Sequence, residues 1–116
     1  MKVTGTLNPS VLTEIECDDC AENRAPVRYV VMEKDSGRIL TEIKFQDGPL
    51  RDSGLNGITN EDLIDVVVHR LLRFRSGKEY DIAITNLKQA QMWLNERSRR
   101  KGFVSTGEGN ERTKRD

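Results

Sequence analysis

The feature that most constrains the fold is a change in apolar spacing across a glycine-rich connector, residues 46–58. Before the connector, apolar side chains recur at every second residue, as in a β-strand with one buried face. After it they recur every three or four residues, as in an amphipathic helix. A long connector rich in turn residues often builds a binding site as well as joining elements. The chain is therefore predicted to fold as a sheet followed by helices.

The first half is predicted to form antiparallel strands between about residues 3 and 45. Alternation over residues 11–17 indicates a half-buried strand, and the β-branched and aromatic run 28–32 indicates a second. Asp35-Ser36-Gly37 supplies a turn, and residues 39–45 form the return strand, so a β-hairpin is expected. Its predicted apolar face consists of Ile39, Thr41, Ile43 and Phe45.

The connector combines strand-ending and turn-forming residues. Gly48-Pro49 ends the return strand, because proline has no amide hydrogen to donate to a β-ladder. The residues that could adopt a positive φ follow as a set: Gly48, Gly54, Asn56 and Gly57. Thr59 is then predicted to cap a helix whose first turn is acidic, which suits the helix dipole.

The second half predicts two helices, at about residues 60–76 and 79–101, with Gly77 ending the first. The apolar stripe of the first helix is Leu63, Val67, Leu71 and Phe74. That of the second is Ala83, Leu87, Ala90 and Leu94, with Ile84 and Trp93 beside it. A short loop predicts that the helices pack as an antiparallel hairpin. The expected fold class is α+β, in one domain over residues 1–104, with a disordered charged tail at 105–116.

Composition excludes several classes of function. The 19 basic and 19 acidic residues cancel, so no overall field attracts nucleic acid or a membrane surface. No signal-like segment and no apolar run of about 20 residues is present. A soluble intracellular protein is expected, with Cys17 and Cys20 reduced. A chain of this size has a modest core, which association with a second copy would help.

Catalytic and metal sites are poorly supported. His69 is the single histidine and lies within a predicted helix, and no known nucleophile or phosphate-loop motif occurs. Cys17 and Cys20 have the spacing of half a zinc site, whereas a structural site needs four ligands. Such a site could be completed only between subunits, and ordinary reduced thiols are favoured. No catalytic residue, metal or cofactor is expected.

Anion binding is better supported, by two basic clusters near the ends of the helices. They comprise Arg70, Arg73, Arg75 and Lys78 in one cluster, and Arg97, Arg99, Arg100 and Lys101 in the other. Cations at helix C-termini also complement the helix dipole, which is the simpler explanation. In an antiparallel hairpin the clusters lie at opposite poles, so two chains packed head to tail could grip a phosphate compound between them. Phe74 and Trp93 are candidates to stack on a purine, or else core residues.

Three blocks of sequence, in this order, resemble the phage Thoeris anti-defence sponge family. They are Phe45-Gln46-Asp47-Gly48-Pro49, the segment from Gly54 to Glu61, and the second helix from Ile82 to Leu94. The resemblance spans roughly residues 39–101, and the helical hairpin is shared with the anti-CBASS cyclic-dinucleotide sponges. The N-terminal region is similar only as generic strand.

The resemblance implies a non-enzymatic function in the cytoplasm of an infected bacterial host. Members bind glycocyclic ADP-ribose, the signal made by TIR-domain proteins in Thoeris immunity, and hold it without cleaving it. Some also bind cyclic oligonucleotides of the CBASS system. They assemble into dimers and, in some cases, hexamers, with pockets between subunits. Alternatives are a sponge for cyclic di- or trinucleotides, a small oligomeric scaffold, or an enzyme that degrades the signal.

The resemblance also implies site residues. Phe74 corresponds to an aromatic that stacks on the ligand, and Arg97 to an arginine that contacts phosphate. Tyr80 stands where the family has an asparagine, after a shorter loop, so stacking by Tyr80 would replace an amide contact. The remaining candidate ligand-binding residues are Asn56, Arg51, Trp93 and Lys78.

Overall fold

The computed structural model describes residues 1–4, 11–19, 24–74 and 77–100. Its elements are β1 (Thr13–Cys17), β2 (Arg28–Glu33), β3 (Ile39–Lys44), α1 (Leu50–Ser53), α2 (Asn60–Phe74) and α3 (Lys78–Arg100). The predicted α+β class, with a sheet in the first half and a helical hairpin after it, is confirmed. Cys20, Arg75, Lys101 and the predicted tail at 105–116 lie outside the described residues. The extent of the domain to residue 104 therefore stays a prediction.

The three strands form one antiparallel sheet in the order β1-β2-β3. Residues 1–3 extend it beyond β1: the Val3 amide donates to the Ile15 carbonyl at 2.9 Å, and the Cys17 amide to the Met1 carbonyl at 2.8 Å. Across this edge the Lys2 ammonium lies 2.9 Å from the Glu14 carboxylate, and that hydrogen bond lowers the pKa of Glu14. This edge of the sheet is thus covered by the chain's own first residues.

The turn between β2 and β3 forms where the sequence predicts it. Gly37 has a φ of 75°, and its amide donates to the Glu33 carbonyl at 2.8 Å. The Glu33 side chain also accepts from the Ser36 hydroxyl at 2.6 Å and the Arg38 guanidinium at 3.2 Å. The Glu33 carboxylate therefore stabilises the turn through hydrogen bonds with the residues on either side of Gly37.

The predicted apolar face of β3 is wrong at its first residue. The register changes between Val31, which pairs with Thr41, and Met32, which pairs with Ile39. The extra residue at this bulge is Leu40, and a bulge shifts the two-residue alternation by one position. Ile39 is 60% exposed, and Thr41 of the same predicted face is exposed as well, so only Ile43 and Phe45 are partly buried as predicted.

The helical hairpin has a narrow apolar seam. Val68 of α2 and Ile84 of α3 are buried, whereas Val67, which the periodicity places inside, is 41% exposed. The predicted N-cap is confirmed: the Thr59 hydroxyl accepts from the Asp62 amide at 3.1 Å, and Asp62 in turn accepts from the Thr59 amide at 3.0 Å. Gly77, with a φ of 113°, directly precedes α3; its predicted place at the end of α2 stays a prediction, because residues 75–76 lie outside the described residues. None of the described helices combines the length and apolar character that crossing a membrane requires.

The connector is ordered by a buried amide. Gln46 is fully buried; its Nε2 donates to the Gly54 carbonyl at 2.8 Å and to the Gly48 carbonyl at 3.1 Å, while its Oε1 accepts from the Asn56 amide at 3.0 Å. The Gln46 amide itself donates to the Ile58 carbonyl at 2.8 Å. Every polar atom of this side chain is satisfied by connector backbone, as burial of an amide requires.

Two expectations for the connector need correction. It contains a short helix, α1, where only loop was predicted. Gly48 and Gly54 have positive φ, at 88° and 71°, but Gly57 does not. Gly57 instead allows a close approach, because a Cβ there would lie 2.3 Å from the backbone carbon of Phe45. The glycine is needed for space rather than for its dihedral angles.

The buried amide gives a direct stability prediction. In Gln46→Glu, an oxygen replaces the nitrogen that faces the Gly48 and Gly54 carbonyls, so two hydrogen bonds are lost and a buried charge is introduced. We expect the free energy of unfolding to fall by about 2 kcal/mol or more, measured by urea denaturation. The matched control is Gln89→Glu on the exposed surface of α3, for which a change within about 0.5 kcal/mol is expected. Equal effects of the two substitutions would contradict a structural role for Gln46.

Candidate ligand-binding surface on the helical hairpin

Two rows of side chains on α2 line an open groove. One row is Asp65, His69 and Arg73, and the other is Val66, Arg70 and Phe74. Members of each row are four residues apart, so they lie above one another on the same face of the helix. We call this surface the α2 groove. It combines apolar surface with two guanidinium groups, one imidazole and one carboxylate.

Phe74 lies outside the core. Its ring is 51% exposed, and the guanidinium carbon of Arg70 lies 4.9 Å from the ring centroid. This is within the range of a cation–π contact. Phe74 is therefore not a core residue of the single chain, and its role in stacking on a ligand stays a prediction.

Lys78 and Tyr80 begin α3, at the same pole of the hairpin as Phe74. Both are exposed, Tyr80 by 38%. A cation in the first turn of a helix faces the positive end of the dipole. The dipole therefore does not account for Lys78, although it can account for the arginines near the end of α3.

Trp93 and Arg97 lie toward the opposite pole. Trp93 is 74% exposed, so it is not a core residue of the single chain, and Arg97 is partly buried one turn further on. Arg99 in the same cluster forms an ion pair with Glu96. This pole also contains the start of α2, because Gln91 of α3 contacts Asp65 of α2 across the hairpin.

The two poles are too far apart for one small ligand. Tyr80 and Arg97 both lie on α3, and at 1.5 Å per residue their levels along its axis differ by about 25 Å. A compact molecule touching Phe74 in one chain cannot reach Arg97 of that chain. The structure therefore places Phe74, Lys78 and Tyr80 at one pole of the hairpin, and Trp93 and Arg97 toward the other.

The two candidate ligand-binding residues of the connector, Asn56 and Arg51, differ in whether the fold already uses their side chains. Asn56 uses both ends of its side-chain amide on Asp47: Oδ1 accepts from the Asp47 amide at 2.8 Å, and Nδ2 donates to its carbonyl at 2.9 Å. This structural role was missed by the sequence analysis, as was that of Gln46. Arg51 is exposed on α1. Ligand contacts by both Asn56 and Arg51 stay predictions.

Metal-ligating groups do not cluster in the part of the chain that the structure describes. Cys17 is a buried free thiol, and its proposed partner Cys20 is outside the described residues. His69 is exposed on the α2 groove. The donor set thus offers no support for a metal centre among these residues.

The architecture defines a class of small α+β protein in which an antiparallel sheet is followed by a helical hairpin with exposed aromatic and cationic side chains. The family model described as "Acb2/Tad1, hairpin domain" matches residues 38–99, and the chain belongs to this family. It is also 44% identical, over 69 residues, to "Thoeris anti-defense 1" of Bacillus phage SBSphiJ7. That alignment covers 56% of this chain and 49% of the relative, so the similarity spans about half of the relative's length.

The exposure of Phe74 predicts that its side chain can be removed without unfolding the protein. Phe74→Ala is expected to change the free energy of unfolding by less than about 1 kcal/mol, because half of the ring is already in solvent. Ile84→Ala in the buried seam is expected to cost about 2–5 kcal/mol. Thermal and urea denaturation of the two variants would check this. A loss in Phe74→Ala as large as that in Ile84→Ala would place the ring in the core.

Proposed function

We propose that this protein is a non-enzymatic sponge that binds glycocyclic ADP-ribose and so blocks Thoeris defence in an infected bacterium. The observation that carries the proposal is the exposed Phe74 ring flanked by cationic side chains in the α2 groove. This groove lies within the region matched by the family model. The relative's name, "Thoeris anti-defense 1", also supports a function against Thoeris defence.

The chemistry of the groove suits a nucleotide-like ligand. A purine can stack on an exposed aromatic ring, with a contribution of about 1–3 kcal/mol. A guanidinium group such as that of Arg97, supplied by another chain, matches phosphate oxygens in a planar, bidentate geometry. The proposed function needs no base or nucleophile, since holding the signal is sufficient to remove it from its receptor.

The proposed site is shared by two chains. Phe74, Lys78 and Tyr80 of one chain would meet Trp93 and Arg97 of another, because Tyr80 and Arg97 are separated by about 25 Å along α3 of a single chain. Apolar exposure at both poles supports such packing, as Phe74 is 51% and Trp93 74% exposed. The connector that carries Arg51 and Asn56 leads into the start of α2, at the same pole of the hairpin as Arg97. A homodimer is the smallest assembly that completes the site.

Recovery of the intact signal tests the proposal. Purified protein incubated with the product of a TIR-domain enzyme should retain glycocyclic ADP-ribose through gel filtration, and heating the complex should release it unchanged by mass spectrometry. Release of a cleaved product would indicate an enzyme. Parallel titration with cyclic di- and trinucleotides separates a Thoeris sponge from a CBASS sponge. No thermal shift with either ligand class would support a scaffold instead.

Subunit mixing tests whether the site is shared. Phe74→Ala and Arg97→Ala are each expected to bind the signal poorly while remaining folded. In a two-fold dimer, mixing the two variants places both substitutions in one site of each mixed dimer and leaves the other site intact. After subunit exchange, about one quarter of the wild-type binding capacity should return, because about half of the dimers are mixed. Calorimetric titration measures the capacity.

The control for mixing is Phe74→Ala combined with Phe74→Ala/Arg97→Ala. No dimer in this mixture has an intact shared site, so no capacity should return. If the first mixture also recovers nothing although exchange is verified by mass spectrometry, the site is not divided between Phe74 and Arg97 of different chains.

A further inference from the structure

Arg70 has no assigned role in binding, yet its position is specific. Its guanidinium carbon lies 4.9 Å from the centroid of the Phe74 ring. The pair is spaced i, i+4, which brings the two side chains onto one face of α2. A cation over one face of a ring leaves only the other face free for a second flat group.

The local sequence explains why Arg70 contacts the ring rather than a carboxylate. Its helical neighbours at i−4, i−3, i+3 and i+4 are Val66, Val67, Arg73 and Phe74, none of which is acidic. Within the described residues, no carboxylate forms an ion pair with Arg70. Asp65, the acidic residue of the groove, accepts instead from Gln91 of α3.

We propose that Arg70 is a positioning residue for ligand stacking on Phe74. It covers one face of the ring, fixes the ring's orientation before the ligand arrives, and leaves the opposite face open to the base. Its charge also lies beside the bound base, within the same groove. This inference rests on the proposed function, since it concerns how the same signal is held.

The contact between Arg70 and Phe74 contributes too little to the stability of the free chain for stability to be its main effect. Half of the Phe74 ring is exposed, and a cation–π contact at such a site contributes little to folding. Ordering the ring in advance, by contrast, reduces the entropy lost when a ligand stacks on it. The expected consequence of removing Arg70 is therefore weaker binding, with a melting temperature lowered by only about a few degrees.

Calorimetric titration with glycocyclic ADP-ribose tests this role. Arg70→Ala is expected to weaken binding about 2- to 5-fold, the equivalent of an exposed cation–π contact. Arg73→Ala is the matched control, because it removes the same charge from the adjacent row of the groove without touching the ring. It should have a smaller effect. Arg70→Lys, which keeps a cation able to lie over the ring, should recover part of the loss.

A double-mutant cycle shows whether Arg70 acts through the ring. Phe74→Leu keeps an apolar side chain and removes the aromatic face, so weak binding should remain measurable. In that background Arg70→Ala should have no further effect. Equal losses in Arg70→Ala and Arg73→Ala, or the same loss from Arg70→Ala with and without the ring, would overturn the positioning role. Wild-type protein that binds no signal would instead refute the proposed function and this inference together.

Discussion

The buried side chain of Gln46 determines how the two halves of the molecule are joined. Its amide nitrogen and oxygen bind backbone groups contributed by Gly48, Gly54 and Asn56, so a segment with little regular structure is closed around one residue. The same position donates its own backbone amide to Ile58, directly before the α2 cap. A glutamine can do this because it supplies both donors and an acceptor. The direction in which the hairpin leaves the sheet follows from these bonds.

The hairpin that this connector holds has β-branched aliphatic residues in its seam, and its aromatic side chains lie outside. Val68 and Ile84 are buried, while Phe74, Met92 and Trp93 are all more than half exposed. Large exposed apolar groups near cations are unusual for a surface that only faces water, and they often mark places where another molecule binds. Separation of the aromatic side chains into two poles further suggests that the occupant of one pole includes another chain.

Much of the fold could be predicted from local patterns. The change from a period of two to a helical period locates the sheet and the hairpin, and Thr59 and Gly77 mark helix ends by their residue types. The bulge at Leu40 could not be predicted, because register depends on pairing with β2 rather than on the strand itself. The role of Gln46 could not be predicted either, because its partners are backbone carbonyl groups whose positions depend on the folded connector.

For the site, the sequence identifies residue types but not their distances. The spacing of Arg70 and Phe74 by four residues can be read directly, and it predicts their contact on a helix. The structural role of Asn56 cannot be read from the sequence. Its side-chain amide could bind a ligand by residue type, but both of its polar atoms form hydrogen bonds with the backbone of Asp47. The separation of Tyr80 from Arg97 follows from the continuous helix predicted at about residues 79–101, which the structure confirms as α3.

A site divided between chains has a consequence for sequestration under the proposed function. If the signal contacts Phe74 of one chain and Arg97 of another, binding stabilises the assembly, and assembly raises affinity for the signal by the same factor. Retention then depends on protein concentration as well as on contacts within the groove. A chain made in large amounts would bind the signal tightly and release it slowly, because dissociation requires that contacts on both chains be lost. Within the groove, the contact of Arg70 with the Phe74 ring is present before a ligand arrives, and side chains that are already ordered lose less entropy on binding.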